Sequence, residues 1–281
     1  MYFDLYKGSL CFGDKAQKKE AFFMDKVLNQ IQRYIILILL FVTWYVWGVI
    51  YQPVLAPTPL DSIYRLIELV TSGAIPRALS ISLGRIFMGL AISISISLII
   101  GVLMAQFRNV ERNFDPIIQS IRHIAPISFV PLAILWFGTG TPSAVFVIAF
   151  ASFFPMLLNV ISGVKAIDPV LIKASKTMGI NKFNLMFRVI LPATFPSILN
   201  GMRVSTGIAW TSVIAAELAV SADPESMGSG GIGQMMFSFY AYSVDTNSLI
   251  ACMVGLAVIS LILDLIFRWL QKKWANWAIQ E

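Results

Sequence analysis

Residues 79–107 read LSISLGRIFMGLAISISISLIIGVLMAQF, and their only charged side chain is that of Arg85. An α-helix needs about 20 mostly apolar residues to cross a bilayer, and this stretch is longer than that. Its serines at positions 93, 95 and 97 are compatible with a membrane helix, because such side chains hydrogen-bond where membrane helices pack together. The stretch therefore predicts a membrane-spanning helix.

The composition of the whole chain also predicts a membrane protein. Of its 281 residues, 57% are hydrophobic and 13% are charged, whereas a soluble domain carries about 25% charged residues. So few polar side chains cannot cover a soluble surface, and lipid must therefore cover much of it. The fold class that we predict is an all-α membrane protein with about six transmembrane helices.

The other apolar segments give the organisation of the chain. Besides the helix at 79–107, we predict spans at about 34–51, 115–137, 142–164, 196–220 and 249–270. Four apolar residues between the first two spans have helical spacing and predict an external amphipathic helix: Leu60, Ile63, Ile67 and Val70. The chain then divides into a cytoplasmic N-terminal segment (1–33), the first span with its external segment (34–77), a core of five spans that includes a loop at 165–192 (78–270), and a cytoplasmic tail (271–281).

The basic residues predict the orientation of the spans. Lysines and arginines concentrate in the N-terminal segment, in the connections 108–122 and 165–188, and after Arg268, whereas the turn 138–142 and the loop 221–248 have none. Cytoplasmic connections of membrane proteins carry an excess of Lys and Arg. Both termini are therefore predicted to be cytoplasmic. We attribute the net charge of +6 to this orientation rather than to nucleic-acid binding.

Several smaller features have ordinary structural explanations. Residues 22–31 fit either a short interfacial helix or a solvated cytoplasmic tail. Cys11 and Cys252 lie far apart and fit no metal-ligand spacing, so neither a disulfide nor a metal site is predicted. His123, the only histidine, is expected at the membrane interface rather than as a proton carrier. Residues 235–242 predict a loop packed on the span ends, with an external re-entrant segment as the alternative.

The most informative connection is residues 167–192, IDPVLIKASKTMGINKFNLMFRVILP. Asp168 followed by Pro169 predicts a helix start, because aspartate caps free backbone N–H groups and proline fits the first turn. Gly179 is placed to end that helix, and Asn181 to cap a second one. A proline at 192 is expected to break the chain before the fifth span. The segment therefore predicts a basic helical hairpin on the cytoplasmic face, shaped to dock on a soluble partner.

This hairpin resembles the cytoplasmic loop of importer permeases of the ATP-binding-cassette (ABC) superfamily, whose pattern is Glu-Ala-Ala, then Gly, then Leu-Pro. Four residues fall at the expected spacing: Ala174, Gly179, Leu191 and Pro192. Lys173 stands where the pattern has Glu, and Ser175 stands where it has the second Ala. By this resemblance, the residues expected to couple the chain to an ATPase are Lys173, Ala174, Ser175, Met178, Gly179, Ile180, Leu191 and Pro192.

Further motifs are similar to one subgroup of these permeases, those for nitrate, bicarbonate, taurine and aliphatic sulfonates. The similar stretches are Pro57-Thr58-Pro59, Ser82-Leu83-Gly84-Arg85, Asp115-Pro116, residues 131–138, Phe154-Pro155, Gly201-Met202-Arg203, Trp210 and Ala216-Glu217. The stretch 221–233 is longer than the usual link in the subgroup between the acidic residue and the glycine pair.

The resemblance implies a type I ABC importer permease in the bacterial cytoplasmic membrane. Its implied partners are a second copy of the chain, two cytoplasmic ABC ATPase subunits and an external solute-binding protein, and its implied substrate is a small anion. The chain contains no Gly-x-x-x-x-Gly-Lys-Ser/Thr phosphate loop. We therefore expect it not to be an enzyme and to hold no cofactor, with ATP and Mg bound by the partner ATPases.

Four residues are candidates for the translocation pathway or its gate: Arg85, Arg203, Trp210 and Glu217. Ionisable groups inside a membrane are costly and commonly face a cavity or a partner. An arginine facing the pathway suits a small oxyanion, and Arg203 has the alternative of pairing with a carboxylate or carbonyl or of reaching the cytoplasmic interface. Glu217 follows Trp210 by two helical turns, so the pair fits either a plug with its latch or ordinary helix packing with a structural ion pair.

Two other classes of function compete with the importer. An ion-coupled secondary transporter or channel needs its own coupling-ion site, commonly with acidic groups at broken helices and inverted repeats. The notable acids within the predicted spans are Glu217 and Asp264, and no convincing repeat is present. A membrane anchor without transport has no need of the cytoplasmic hairpin.

Overall fold

The structure is a computed structural model that describes residues 32, 35–36, 38–50, 57–220 and 230–274. Every secondary-structure element in these residues is helical. The described residues form two compact units, which divide between Ile63 and Tyr64. The predicted helix at 22–31, Cys11 and most of the tail lie outside the described residues.

Eleven helices follow one another in the part of the chain that the structure describes. Their bounds are α1 (Ile38–Ile50), α2 (Pro59–Thr71), α3 (Ala74–Gln106), α4 (Arg108–Ile121), α5 (Val130–Phe137), α6 (Thr141–Lys165), α7 (Pro169–Thr177), α8 (Lys182–Leu185), α9 (Leu191–Val220), α10 (Ile232–Ser238) and α11 (Thr246–Trp274). Among the described residues, the π turn Met186–Ile190 joins α8 directly to α9, the π turn Phe239–Ser243 continues α10, and the 3₁₀ turn Pro126–Phe129 leads directly into α5.

Four of these helical stretches are long and apolar enough to cross a membrane, namely α3, α6, the stretch Phe183–Ala219 that contains α9, and α11. They confirm the spans predicted at 79–107, 142–164, 196–220 and 249–270. The first predicted span contains the shorter apolar helix α1. The predicted helix at 60–70 is also confirmed as α2, although its stripe of Leu60, Ile63, Ile67 and Val70 remains exposed.

The third predicted span, 115–137, is not one straight helix that opens at Asp115-Pro116. It corresponds to two helical stretches, Asn109–Ile121 and Pro126–Phe137, which together are apolar enough to cross a membrane. Pro116 lies inside α4, and the chain bends by 88° between Ile121 and Pro126. Proline disfavours the helical conformation in the residue before it, and Ala125 is extended, with φ −60° and ψ 129°. The chain therefore turns just before the second proline, Pro126, and not at Pro116.

The break predicted at Pro192 is also absent, because the polypeptide stays helical from the hairpin into α9. The π turn Met186–Ile190 lies directly before α9, and Leu191 donates its N–H to the carbonyl of Met186. Proline lacks an N–H, and its ring clashes with the carbonyl four residues before it in a regular helix. A widened turn at this point lets Pro192 enter the helix without a break.

The core lies where α3, α6 and α9 pack side by side, α6 contacting both of the others. Glycines allow the closest approach: a Cβ atom at Gly89 would lie 2.6 Å from Ile148 Cγ2, and one at Gly163 would lie 2.4 Å from Ser197 Cβ. Small residues let membrane helices approach closely enough for packing forces to hold them together. These glycines therefore position the three long helices.

A hydrogen bond and an ion pair of Arg65 join α2 to the start of α11. Arg65 Nε donates to Ser248 Oγ at 2.8 Å, and its Nη2 lies 3.4 Å from Asp245 Oδ2. Burial alone would raise the pKa of Asp245, but hydrogen bonds from Ser248 and the charge of Arg65 outweigh it, so the pKa lies below its ordinary value. The carboxylate form is therefore the one that the fold stabilises.

Asp245→Asn is expected to lower the stability of the protein by about 0.2–1 kcal/mol at neutral pH, because the group is partly exposed and the charge interaction is screened. Since the folded pKa is below the ordinary value of 3.8, the contribution of the carboxylate is complete above that value and is lost as the pH falls through the lowered pKa. Thermal unfolding of both proteins should give a constant difference at neutral pH that shrinks below about pH 4. A difference that does not change with pH would contradict the assignment.

Candidate functional site: a helical hairpin and a buried ion pair

The hairpin predicted at 167–192 is present, with α7 and α8 as its two arms. Asp168 Oδ1 accepts the backbone N–H of Val170 at 2.8 Å, so Asp168 caps α7 as its position predicts. Gly179 has φ +74° and ends the first arm, a conformation that glycine adopts without steric cost. The backbone carbonyl of Asn181 accepts the N–H of Leu185 at 2.8 Å in the second arm.

One side of the hairpin is anchored in the protein. Ile167 and Leu185 are buried, together with Val164 at the end of α6, and Ile180 packs against the same cluster. Ser175 is buried as well, and its hydroxyl donates to the carbonyl of Leu171 at 2.8 Å. The base of the hairpin is therefore fixed to the core.

The other side of the hairpin is exposed. Among the predicted coupling residues, Lys173, Ala174, Met178, Gly179 and Pro192 are exposed, whereas Ile180 and Leu191 are half-buried. Further exposed apolar side chains were not predicted as part of this site: Val170, Leu171, Phe183 and Phe187. The spacing of the two phenylalanines, four residues apart, was the available signal, and their ring centroids lie 4.6 Å apart. An apolar surface of this kind is typical of a docking site.

A second cluster, the buried charged cluster, consists of Ser82, Arg85, Glu217 and the amides of Ile232 and Gly233. Arg85 Nη1 lies 2.8 Å from Glu217 Oε1, and both side chains are almost fully buried. The hydroxyl of Ser82 donates to the same carboxylate at 2.8 Å. Because Arg85 and Ser82 belong to α3 and Glu217 to α9, the cluster joins two of the long helices.

The start of α10 completes the buried charged cluster. The N–H of Gly233 donates to Glu217 Oε2 at 2.9 Å, and that of Ile232 donates to Ser82 Oγ at 2.9 Å. A Cβ atom at Gly231 would lie 2.0 Å from Glu217 Oε1, so only glycine fits there. The glycines after residue 227 were the sequence signal for this contact, and the roles of Ser82, Gly231 and Gly233 were not predicted.

The remaining pathway candidates lie elsewhere on α9. Trp210 is buried in the apolar cluster that contains Leu79 and Ile148, and its Nε1 has no hydrogen-bond partner among the described residues. Arg203 Nε donates to Asp264 Oδ1 of α11 at 2.8 Å, so this arginine pairs with a carboxylate, one of the alternatives considered above. Whether either residue contacts a transported solute stays a prediction.

Comparison with known proteins decides the family. The family described as "binding-protein-dependent transport system inner membrane component" matches residues 93–276. The chain belongs to this family. It is therefore a multi-pass permease of the cytoplasmic membrane, the subunit of an ABC importer that carries no ATPase site, and it works with ATPase and solute-binding partners. This membership does not favour the secondary-transporter alternative.

Named relatives agree with this assignment. The permease is 38% identical over 198 residues to a permease protein of an ABC transporter from Methanocaldococcus jannaschii, covering 70% of this chain and 71% of that protein. It is 33% identical to the aliphatic sulfonates transport permease protein SsuC of Bacillus subtilis (82% and 80% covered) and 29% identical to the taurine transport permease TauC of Escherichia coli (80% and 81% covered).

A solved structure of an ABC importer has the same fold. The inward-facing MetNI methionine ABC transporter superposes with a TM-score of 0.60 at 19% identity, covering 71% of this chain and 95% of that chain. At this identity the likeness concerns the fold alone. It supports the type I importer fold that the resemblance of the hairpin predicted.

Proposed function

We propose that the permease forms a homodimer that binds two ABC ATPase subunits and receives a small anion from an external solute-binding protein. The anion is of the sulfonate, taurine, nitrate or bicarbonate type, because two relatives are named for sulfonate and taurine transport and the sequence motifs resemble the same subgroup. ATP and Mg belong to the partner ATPases, which supply the free energy. The observation that carries the proposal is the hairpin at 167–192, anchored on one side and exposed on the other.

The hairpin has a continuous mechanical connection to the centre of the permease. One helical stretch, Phe183–Ala219, runs from its second arm through the π turn into α9. At 37 residues it extends over roughly 55 Å at the 1.5 Å rise of an α-helix. Arg203, Trp210 and Glu217 all lie on this stretch. A movement of the hairpin against an ATPase therefore also moves these three residues.

Transport then proceeds by alternating access. Closure of the ATPases on ATP pulls the hairpins, and the long helices rock between inward-open and outward-open arrangements. In this scheme Trp210 acts as a plug, and Glu217 acts as the latch that holds α9 to α3 and α10. Release or repacking of the Arg85–Glu217 pair accompanies the change of state, because a packed interface switches between discrete arrangements rather than deforming continuously.

The function is tested by co-purifying the chain with its ATPases and measuring ATP-dependent uptake in liposomes. Candidate anions are supplied with their solute-binding protein. We expect two copies of the permease for every two ATPase subunits and hydrolysis stimulated by one loaded binding protein. A chain that purifies alone and moves solute down an ion gradient without ATP would overturn the proposal.

Gly179→Trp is expected to uncouple ATP hydrolysis from transport. No atom lies within 4 Å of a Cβ built at this exposed position, so the indole projects outward from the hairpin into the docking surface. Uptake should fall several-fold to about tenfold, while the ATPase activity of the purified complex persists. The measurement is the ratio of solute transported to ATP hydrolysed.

Gly138→Trp is the matched control. Gly138 also has a positive φ, +77°, and open surroundings, but it lies in the turn before α6. Gly138 combines its positive φ with a ψ of 179°, a conformation that side chains almost never adopt, so backbone strain should not spare Gly138→Trp. Docking is therefore implicated if the transport ratio falls in Gly179→Trp and not in Gly138→Trp. Normal coupled uptake by the Gly179 variant would count heavily against the hairpin as the coupling element.

A further inference from the structure

A cavity of about 410 Å³ lies between the start of α3 and helix α10. Its polar lining consists of the side chains of Arg77, Gln234, Ser238 and Tyr242, and apolar walls are formed by residues such as Ile81 and Phe237. Arg77 comes from α3, and Gln234 and Ser238 come from α10, the two elements that the buried charged cluster also holds together. Tyr242 comes from the π turn that follows α10. The cavity therefore has a fixed frame.

The described lining of this cavity carries a positive charge. Among the residues that the structure describes, it includes one arginine and no carboxylate. Arg77 is exposed and makes no side-chain hydrogen bond or ion pair with a described residue, whereas Arg65, Arg85 and Arg203 each pair with a carboxylate. No described residue occupies its five N–H donors, which are consequently available to a ligand.

The donors suit an oxyanion with a small apolar portion. A guanidinium binds carboxylate-like or sulfonate oxygens through two parallel N–H groups. The Tyr242 hydroxyl adds a neutral donor, while Phe237 and Ile81 provide surface for methylene groups. A cavity that combines apolar walls with a few convergent polar groups is the usual form of a small-molecule site.

We propose that this cavity binds the transported small oxyanion, with Arg77 as its principal ligand. The inference rests on the proposed function, since it assigns that substrate a site on the permease itself. Residue 230 supports it, because a Cβ atom there would lie 1.8 Å from Gln234 Oε1 and would displace that side chain. Gly230 therefore preserves the position of one of the lining groups.

The cavity is also connected through α3 and α10 to Glu217, the proposed latch. Arg77 lies on α3 one and a half turns before Ser82, and Gln234 directly follows Gly233, whose N–H binds Glu217. An anion that bridges Arg77 and α10 adds a second attachment between the elements that Glu217 already connects. Binding therefore stabilises the arrangement in which α3, α9 and α10 are held together.

The test is equilibrium binding to the purified permease–ATPase complex without its solute-binding protein. Binding of taurine and methanesulfonate is monitored by NMR saturation transfer, and binding of nitrate and bicarbonate is measured with the isotope-labelled anions. Arg77→Gln should raise the Kd of the bound anion by about tenfold or more. Arg77→Lys, which keeps the charge but loses the planar fork, should raise it several-fold. Arg112→Gln removes another exposed arginine and should leave the Kd unchanged.

The outcomes separate this inference from the proposed function. ATP-dependent anion uptake by the wild-type transporter, together with a Kd that is the same in Arg77→Gln, overturns the cavity and leaves the function intact. Absence of saturable binding of all four anions in an actively transporting complex also overturns it. Absence of ATP-dependent uptake overturns the proposed function itself. If Arg77→Gln does not fold, as judged by its thermal midpoint, Arg77→Lys decides the question.

Discussion

Glu217→Ala is expected to destabilise the permease by about 3–5 kcal/mol, because it leaves the guanidinium of Arg85 buried without its carboxylate. Both side chains of the pair are almost completely inaccessible, at 7% and 0% exposure. The substitution also removes the acceptor for Ser82 Oγ and for the N–H of Gly233, and unpaired buried donors add to the loss. The free energy of unfolding is measured by titration with SDS in mixed micelles.

Two further variants test whether the lost stability comes from the unpaired charge in the buried charged cluster. Glu68→Ala removes an exposed acid that pairs with Arg65 and should change the stability by less than about 1 kcal/mol. The double variant Arg85→Met/Glu217→Leu removes both charges and should recover much of the stability lost by Glu217→Ala, since an apolar pair of similar volume avoids the cost of burying charge. If Glu217→Ala is no less stable than Glu68→Ala, the buried charged cluster does not hold the helices together.

The second large effect is expected at the contact between α6 and α9. Gly163→Leu should destabilise the protein by about 3 kcal/mol, since overpacking a close-packed contact commonly costs about 1–3 kcal/mol and occasionally more. A Cβ atom alone would lie 2.4 Å from Ser197 Cβ and 2.8 Å from Thr194 Cγ2. The leucine therefore forces the two helices apart. The same SDS titration measures the change.

Gly207→Leu is the control for this prediction. Gly207 lies inside α9, and no atom is within 4 Å of a Cβ built there. Because leucine favours a helix by about 1 kcal/mol over glycine, this variant should be as stable as the wild type or slightly more so. Equal stabilities for the two leucine variants would contradict the role of Gly163 as a point of close approach.

The sequence predicted most of the secondary structure because membrane spans and caps are local features. A long uncharged stretch such as 79–107 must form its hydrogen bonds internally in lipid, so apolar length alone indicates a helix. The same holds for the hairpin, where Asp168 caps α7 and Gly179 ends it. Its resemblance to ABC permeases also led to the family that the comparison then established.

The prolines show where local rules failed. Pro116, Pro126 and Pro192 have the same chemistry, yet only Pro126 coincides with a bend, of 88°. Pro116 is accommodated inside α4 and Pro192 after a π turn. The outcome depends on how the surrounding helices pack and re-satisfy the freed backbone groups, and sequence spacing does not contain that information.

By itself, the sequence determined that this protein is a helical membrane permease with a helical hairpin at 167–192, because hydrophobic length and capping residues act over a few neighbouring positions. Only the tertiary structure decided which charges meet. Arg85 and Glu217 are separated by 132 residues, and Arg203 and Asp264, which also pair, by 61. Such pairs form where helices cross, and a buried charge must find whichever partner the packing brings within reach.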